Sequence, residues 1–278
     1  MRIAVIPNGN LDKYKNADAF ILGLKDYSVN TSSYSLDEIK DIINSSDKEI
    51  FIAINKNIHN NEVAKLEEYL IELSKMKIAG IFYADVAVIQ INKEQNLNLK
   101  LIWSQEHLTC NYHTINYWLN EGAKGVFISN DITKREILEI AQNVEGLKFV
   151  QVFGYVPIYV SKRHAIDNYF KAFKIDNKDK EFNYIYKEGA YYPIVDSANG
   201  TEVYSNNILC SLNEIKEYNN IDYGIINFFN IDHDEEKIID IFKTVTDNNI
   251  EEYSSFINDN FKNIDSIFLY NETIYKVK

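Results

Sequence analysis

The stretch Lys148-Phe-Val-Gln-Val-Phe-Gly154 decides the fold, because a run of apolar, β-branched and aromatic residues is typical of a buried strand. The glycine after it predicts a strand that ends in a tight turn. Similar short apolar runs, most of them followed by a helical pattern, recur along the chain. The eight predicted strands cover residues 3–6, 19–22, 50–54, 80–85, 98–104, 125–129, 148–154 and 222–229.

Eight strands with intervening helices in 278 residues favour one class of fold. We expect an α/β protein that forms a (β/α)8 TIM-like barrel, in a single domain over residues 1–278. One helix in this series begins at Ser35, where Glu38 completes a capping-box pattern. Residues 176–220 do not follow the repeat. The Asn199-Gly200 pair there, between alternating residues, predicts an antiparallel hairpin inserted after strand seven.

Composition narrows the class of protein. A net charge of −12 disfavours wholesale electrostatic binding of nucleic acid, although Lys162 and Arg163 could still contact phosphate locally. Cys110 and Cys210 lie far apart in sequence, which argues for reduced thiols and against a cysteine-based zinc site. No apolar run approaches the roughly 18 residues of a membrane span, and the start has no secretory pattern. We therefore expect a cytoplasmic protein with no membrane partner.

Polar residues follow most of the predicted strands. Because the carboxyl ends of barrel strands meet at one face, we expect these side chains to surround one site. Lys162 and Arg163, with Asn168 downstream, are suited to bind a carboxylate or a phosphate. A solvated basic turn followed by an amphipathic helix is the structural alternative. The strand-end residues are Asn55, His59, Asp85, Ser104, Glu106, His107, Asn130, Asp131, Ser161, Lys162, Arg163 and Asn227.

Two catalytic interpretations of these strand ends stay open. His59, Asp85, Glu106 and His107 could be written as the ligands of a metal hydrolase, but they lack the spacing of a known metal motif, and surface histidines are the structural alternative. Ser104 or Cys110 could act as a nucleophile with His107 or His113, but such neighbours are common by chance. The sequence has no P-loop and no dinucleotide-binding glycine motif.

Four spaced blocks of the sequence resemble one family. They lie at residues 55–60, at 103–118, at 150–170 and at 192–210, and together they resemble the collagenase-like peptidase family U32, above all its short members that act on tRNA. The resemblance implies a barrel fold and formation of 5-hydroxyuridine at the tRNA wobble position, with prephenate as co-substrate. The binding candidates are Asn55, Trp103, Asn111, Ser161, Lys162, Arg163, Asn168 and Tyr169, which lie in the matching blocks. The catalytic candidates are Glu106, His107 and His59 at the predicted strand ends, and these three would serve a peptidase.

The departures from the family concern its four cysteines. Pro157 and His164 stand where two of them are expected, a third has no counterpart near residues 176–186, and Cys210 matches the fourth. Since a cubane iron–sulfur cluster usually takes four thiolates, we expect no cluster in this chain.

The depleted cysteine set favours a particular role. We expect a subunit or accessory protein that pairs with a longer family paralogue as a heterodimer and contacts tRNA, because paired members are a precedent within the family. Two alternatives remain open. One is a peptidase or collagenase-like hydrolase. The other is a scaffold without chemistry that binds RNA or a small carboxylate.

Overall fold

The computed structural model describes residues 1–105, 107–176 and 183–271. Its strands, in chain order, are β1 (Arg2–Ile6), β2 (Ala19–Leu24), β3 (Ser33–Tyr34), β4 (Glu49–Ile54), β5 (Gly80–Tyr83), β6 (Leu101–Trp103), β7 (Gly125–Phe127), β8 (Leu147–Ser161), β9 (Asn183–Lys187), β10 (Ala190–Ser197), β11 (Gly200–Cys210), β12 (Tyr223–Asn227) and β13 (Ile264–Asp265). Its α-helices are α1 (Leu36–Ser45), α2 (Val63–Ser74), α3 (Val86–Glu94), α4 (Tyr112–Asn120), α5 (Lys134–Asn143), α6 (Ala165–Phe173), α7 (Glu235–Thr244) and α8 (Ile250–Asn260).

Parallel pairing closes eight of these strands into a barrel. The order is β12, β1, β2, β4, β5, β6, β7 and β8, and β12 pairs again with β8 to complete the ring. The predicted (β/α)8 TIM-like barrel is therefore confirmed. The eight strands correspond one by one to the predicted runs, because alternating apolar runs separated by helical patterns carry most of the signal for this fold.

Alternate residues of the strands face the inside of the barrel. Phe51, Phe82, Phe149 and Tyr223 meet there, with ring centroids 4.8 Å apart for Phe82 and Phe149 and 4.5 Å apart for the stacked Phe149 and Tyr223. The intervening strand residues point outward and pack against the helices in a second, larger core. The period-two alternation of the strands thus fills two layers at once.

The helices follow from local sequence signals. Ser35 accepts a hydrogen bond from the backbone N–H of Glu38, whose carboxylate accepts from the backbone N–H of Ser35, so the predicted capping box begins α1. In α2, Leu66, Leu70 and Leu73 are fully buried at helical spacing. These contacts hold the helices against the outer face of the barrel and leave the carboxyl ends of the strands free for other contacts.

The prediction that the seventh strand ends at Gly154 is wrong. β8 continues to Ser161, and Gly154 lies inside it with φ +112°. A Cβ atom at this position would overlap the backbone oxygen of Asn227, so only glycine lets β8 pass β12 so closely. Up to Phe153 the strand pairs in parallel with β7 and β12, and from Phe153 onward it pairs antiparallel with β11. Gly154 therefore marks the point where β8 leaves the barrel.

Beyond Gly154 the chain forms an antiparallel extension that we call the arm. We define the arm as residues 155–176 and 183–204, which include the second half of β8, α6, β9, β10 and the first half of β11. β10 pairs antiparallel with both β9 and β11, and the turn between β10 and β11 joins Ser197 to Gly200. Helix α6 packs on one face of this sheet through Ile166.

Candidate functional site

The arm crosses the carboxyl end of the barrel. At the turn between β10 and β11, the side-chain N–H of Asn199 donates to the backbone oxygen of Ser28 over 2.7 Å. Farther along β11, the carboxylate of Glu202 accepts from the backbone N–H of Asn30 over 2.9 Å. Ser28 and Asn30 belong to the loop that follows β2. The arm is thereby fixed to the opposite rim and forms a roof over the barrel mouth.

Under one side of this roof lies a cavity of about 330 Å³, which we call the mouth cavity. Its lining combines the ends of β4, β5 and β6 with the outer part of β8, and it is mostly polar. The lining residues are Val29, Asn30, Asn55, Lys56, Asn57, Ala84, Ser104, Gln105, His107, Ile158, Tyr159, Val160, Lys162 and Asn199. Asn55, Ser104, His107 and Lys162 among them were predicted from the sequence as candidate site residues.

Two lysines supply the positive charge of the mouth cavity. Lys56 is 8% exposed, and its Nζ lies 2.7 Å from Oε1 of Glu62. Lys162 is half exposed, and its Nζ lies 3.6 Å from Oε2 of the same carboxylate. Burial alone would raise the pKa of Glu62, but hydrogen bonds from Lys56 and the His59 backbone, with both lysine charges, lower it to about 2. One carboxylate shared between two cations leaves a local excess of positive charge.

Asn55 holds the rim of the mouth cavity in place. Its side-chain oxygen accepts from the backbone N–H of Val29 over 2.9 Å, and its side-chain N–H donates to the Val29 oxygen over 3.0 Å. This two-point contact fixes the loop after β2 against the end of β4. The structure thus gives the predicted binding residue Asn55 a positioning contact, in which both of its amide atoms take part.

Of the two predicted catalytic residues that the structure describes, His107 lines the mouth cavity and His59 does not. His107 lines the mouth cavity with a side chain that is 68% exposed, and its Nδ1 lies 3.0 Å from Oδ2 of Asp131. The side chain of His59 is exposed, and its backbone N–H donates to the carboxylate of Glu62. Glu106 lies outside the described residues. Their catalytic roles stay predictions.

The Ser161-Lys162-Arg163 segment is divided between the cavity and the surface. Lys162 lines the mouth cavity, whereas Ser161 accepts from the backbone N–H of Arg163 and helps to form the turn before α6. Arg163 is exposed, and its backbone oxygen accepts from the hydroxyl of Thr201. Asn168 and Tyr169, predicted with this segment, are exposed on α6. Of this group, the structure brings Lys162 to the cavity.

Trp103 and Asn111 have structural contacts on the outer side of the barrel. Trp103 is 3% exposed, and its ring stacks on that of Trp118 with centroids 4.2 Å apart. Asn111 is the N-cap of α4 and accepts from the backbone N–H of Thr114. Both residues therefore contribute to the attachment of α4 to the sheet, and the binding role that the resemblance implies for them is still a prediction.

On the other side of the roof lies a smaller cavity of about 150 Å³, which we call the side cavity. It contains the buried carboxyl group of Glu202, which also accepts from the hydroxyl of Tyr204 over 2.9 Å. Burial raises the pKa of this carboxyl group. Asn30 lines both cavities and connects them. Its φ is +58°, a conformation that asparagine tolerates better than most residues.

Sequence reasoning did not select Lys56, Asn30 or Glu202. Lys56 directly follows Asn55 at the end of a predicted strand, so its position alone could have identified it. Asn30 and Glu202 are 172 positions apart and are joined through the arm, whose path over the mouth no local pattern reveals. The signal for these two residues exists only in the folded chain.

The thiols do not fit an iron–sulfur cluster of the usual kind. The sequence contains two cysteines, whereas such a cluster takes four thiolates. Burial raises the pKa of the Cys210 thiol to about 12, which disfavours the thiolate that a metal requires. Within residues 1–105, 107–176 and 183–271, His, Cys, Asp and Glu side chains form no group of three suited to a metal ion.

The helices of the described chain are too short or too polar to cross a lipid bilayer.

Comparison with known proteins assigns this roofed barrel to a family. The model of peptidase family U32 matches residues 13–266. The chain is 31% identical to tRNA hydroxylation protein P2 of Bacillus subtilis, over 93% of each chain. It is 27% identical to tRNA hydroxylation protein P1 of the same organism, over 60% of this chain and 42% of that protein. A match to tRNA hydroxylation protein P of Haemophilus influenzae is 24% identical and covers 55% of this chain and 35% of the relative.

The fold and the site define a (β/α)8 barrel whose mouth is covered by an antiparallel arm and carries buried charge. The match over residues 13–266 then gives the family directly. The chain belongs to peptidase family U32, as its sequence blocks predicted.

Proposed function

We propose that this chain takes part in the hydroxylation of the wobble uridine of tRNA. The observation that carries the proposal is the cationic mouth cavity, in a chain that matches a tRNA hydroxylation protein over 93% of both lengths. Hydroxylation needs a place for the co-substrate as well as for the RNA. A cavity of about 330 Å³ is within the usual size of a small-molecule site.

The lining of the mouth cavity supports a carboxylate as the small ligand. Lys56 and Lys162 supply ammonium groups, and Asn57 and Gln105 supply side-chain amides beside them. A carboxylate bound there would share the cations with Glu62 and would be stabilised by charge-assisted hydrogen bonds. Prephenate, which carries two carboxylates, is the co-substrate that we propose.

We propose further that the chain acts in the cytoplasm as a subunit or accessory protein, paired with a longer paralogue. Two cysteines do not supply a cluster, so cluster chemistry would have to come from the partner. The coexistence of two related tRNA hydroxylation proteins in Bacillus subtilis supports such a pair. Copurification of the tagged chain with a longer family member would test this part, and a protein that is monomeric at native abundance would contradict it.

The test of the function is mass spectrometry of total tRNA nucleosides from a strain that lacks the gene. We expect loss of 5-hydroxyuridine and its derivatives, restored by the wild-type gene. Restoration by Lys162→Ala should be incomplete, because one charged hydrogen bond contributes about 1.5–3 kcal/mol, roughly ten- to a hundredfold in binding. Lys40→Ala, which removes an exposed lysine from α1, is the matched control.

An unchanged nucleoside profile in the deletion strain would contradict the proposed function. Full restoration by Lys162→Ala would instead mean that the chain acts in tRNA hydroxylation without this cation. The role proposed for the mouth cavity would then be wrong, while the proposed function would still hold.

A further inference from the structure

The two faces of the arm differ in what covers them. Residues directly opposite in an antiparallel pair lie on the same face, so the pairing of Tyr186 with Tyr191 and of Tyr184 with Pro193 places these four side chains together. Tyr192 and Ile194, which alternate with them, face α6 instead. The three tyrosines of the first face are exposed, whereas Pro193 at its inner end is buried. Tyr184 is 50%, Tyr186 64% and Tyr191 61% exposed, and the rings of Tyr186 and Tyr191 are 4.9 Å apart.

This tyrosine face, defined as Tyr184, Tyr186, Tyr191 and Pro193, continues into the site. Tyr184 and Pro193 line an open groove of about 230 Å³ whose other side is formed by Phe229, two residues after the end of β12. Phe229 also lines the side cavity, where Tyr204 stacks on it with ring centroids 3.7 Å apart. A continuous aromatic path therefore leads from the tip of the arm to the side cavity.

Two residues that line the side cavity carry a buried polar atom without a hydrogen-bond partner in the described part of the chain. The side-chain oxygen of Asn30 is one of these atoms, and Asn30 is 8% exposed. The hydroxyl of Thr31, which lines the same cavity, is another. A buried acceptor without a partner costs roughly 1–3 kcal/mol, so a ligand with a matching donor would be favoured there. A side-chain amide offers both a donor and an acceptor, as the edge of a pyrimidine base does.

We propose that the tyrosine face binds single-stranded RNA and leads one unpaired pyrimidine into the side cavity, next to Asn30. The inference rests on the proposed function for the identity of the nucleic acid. Aromatic rings in a row bind successive bases by stacking, and an enzyme acting on a base takes it out of the stack into a close-fitting pocket. A cavity of about 150 Å³ has room for a single heterocycle.

The shape of the path favours a single strand of RNA over a protein partner. A protein surface would cover the exposed rings of Tyr184, Tyr186 and Tyr191, whereas a flexible strand can also enter the side cavity at the end of the path.

The test measures binding of a fluorescent RNA hairpin with an unpaired uridine in its loop to the purified full chain. The Tyr186→Ala/Tyr191→Ala variant removes two rings from the path. Stacking contributes about 1–3 kcal/mol per base, so we expect affinity to fall about tenfold or more. Tyr117→Ala/Phe173→Ala removes two rings of similar exposure, 59% and 63%, from α4 and α6, and should change affinity less than about twofold.

A second pair of RNAs tests the cavity. Asn30→Ala should reduce the preference for the hairpin over a fully paired duplex of the same length, with less effect on the duplex itself. A thermal unfolding curve like that of the wild type shows that each variant is folded. Where Asn30→Ala does not fold, RNA carrying an abasic site in place of the uridine should bind the wild type more weakly and with the same affinity as the duplex.

The proposal is wrong if the wild-type chain does not bind the hairpin or if both ring pairs have equal effects. It is also wrong if the tyrosine pair leaves RNA affinity unchanged but abolishes copurification of a protein, since the face would then be a protein interface. The proposed function fails separately. An unchanged nucleoside profile in the deletion strain would contradict that function while RNA binding by the tyrosine face could still be observed.

Discussion

The inside of the barrel and its mouth are built from opposite kinds of contact. Inside, the buried rings of Phe51, Phe82, Phe149 and Tyr223 pack against one another, and the only polar atom among them, the Tyr223 hydroxyl, donates to Glu49 at the edge. At the mouth, the roof and the rim are joined by directional polar contacts, such as that of Glu202 with Asn30. The difference teaches that stability and site geometry have separate sources in this chain. Substitutions in each region should therefore have distinct signatures.

The largest effect is expected inside the barrel. Phe149→Ala removes a fully buried ring that contacts three other aromatic side chains, and it leaves a cavity that closed strands cannot fill. We expect the free energy of unfolding to fall by about 3–5 kcal/mol, measured by chemical denaturation. Phe173→Ala on the exposed face of α6 is the control, with a change within about 0.5 kcal/mol. A loss below about 1 kcal/mol for Phe149→Ala would mean that the barrel interior repacks around the missing ring. The contrast between a closely packed interior and a polar mouth would then be wrong.

At the mouth, Glu62→Gln should have an intermediate effect that depends on pH. The substitution leaves the buried ammonium group of Lys56 without its anion, and we expect a loss of about 2–3 kcal/mol at pH 7. The folded protein lowers the pKa of Glu62 from 4.5 to about 2. The wild type therefore has the full contribution above the unfolded pKa and loses it between about pH 4.5 and pH 2.

The Glu62 prediction is checked by denaturation at several pH values, with Glu72→Gln as the control. Glu72 of α2 forms an exposed pair with Lys75, the residue that follows the helix, and such pairs contribute about 0–1 kcal/mol. The difference between wild type and Glu62→Gln should shrink as the pH falls toward 3. If this difference in stability stays constant with pH, the ion pair with Glu62 does not hold Lys56 in place. The claim that charged contacts stabilise the mouth would then be wrong.

How far the sequence predicts the molecule differs between the same two regions. The barrel follows from local alternation, because each strand buries one face inside and one against a helix, and the eight runs are visible one at a time. The path of the arm depends on Gly154. Its positive φ, which glycine adopts without strain, lets β8 leave the barrel and continue as one strand. A glycine after an apolar run is an ordinary strand end, so the pattern predicted the wrong outcome there.

The site was predicted in part for a related reason. Asn55, His107 and Lys162 follow or extend strands, and position alone brought them to the mouth cavity. Asn30 lies in the loop after β2, and Glu202 lies in the arm. Their importance comes from partners that are distant in sequence, as in the contact between Asn30 and Glu202 across 172 positions. No periodic pattern encodes such a contact, since it depends on how two irregular segments meet in space.

The smallest effect on the free energy of unfolding is expected for Glu202, whose carboxyl group lies in the roof. Unlike the other two substitutions, this one should stabilise the protein. Burial raises the pKa of Glu202, so the folded chain binds this proton more tightly than the unfolded chain does. The wild type therefore loses stability as the pH rises through the ordinary pKa of a carboxyl group toward the raised one. Glu202→Gln has no proton to lose and keeps an oxygen that can accept from Asn30 and Tyr204. We expect it to unfold at a higher temperature than the wild type at pH 8, with a gain of at most about 1 kcal/mol, and to show no gain at pH 4. If the variant is instead less stable at pH 8, the ionised carboxylate is a favourable part of the roof, and the mouth would be stabilised by charge at Glu202 as it is at Glu62.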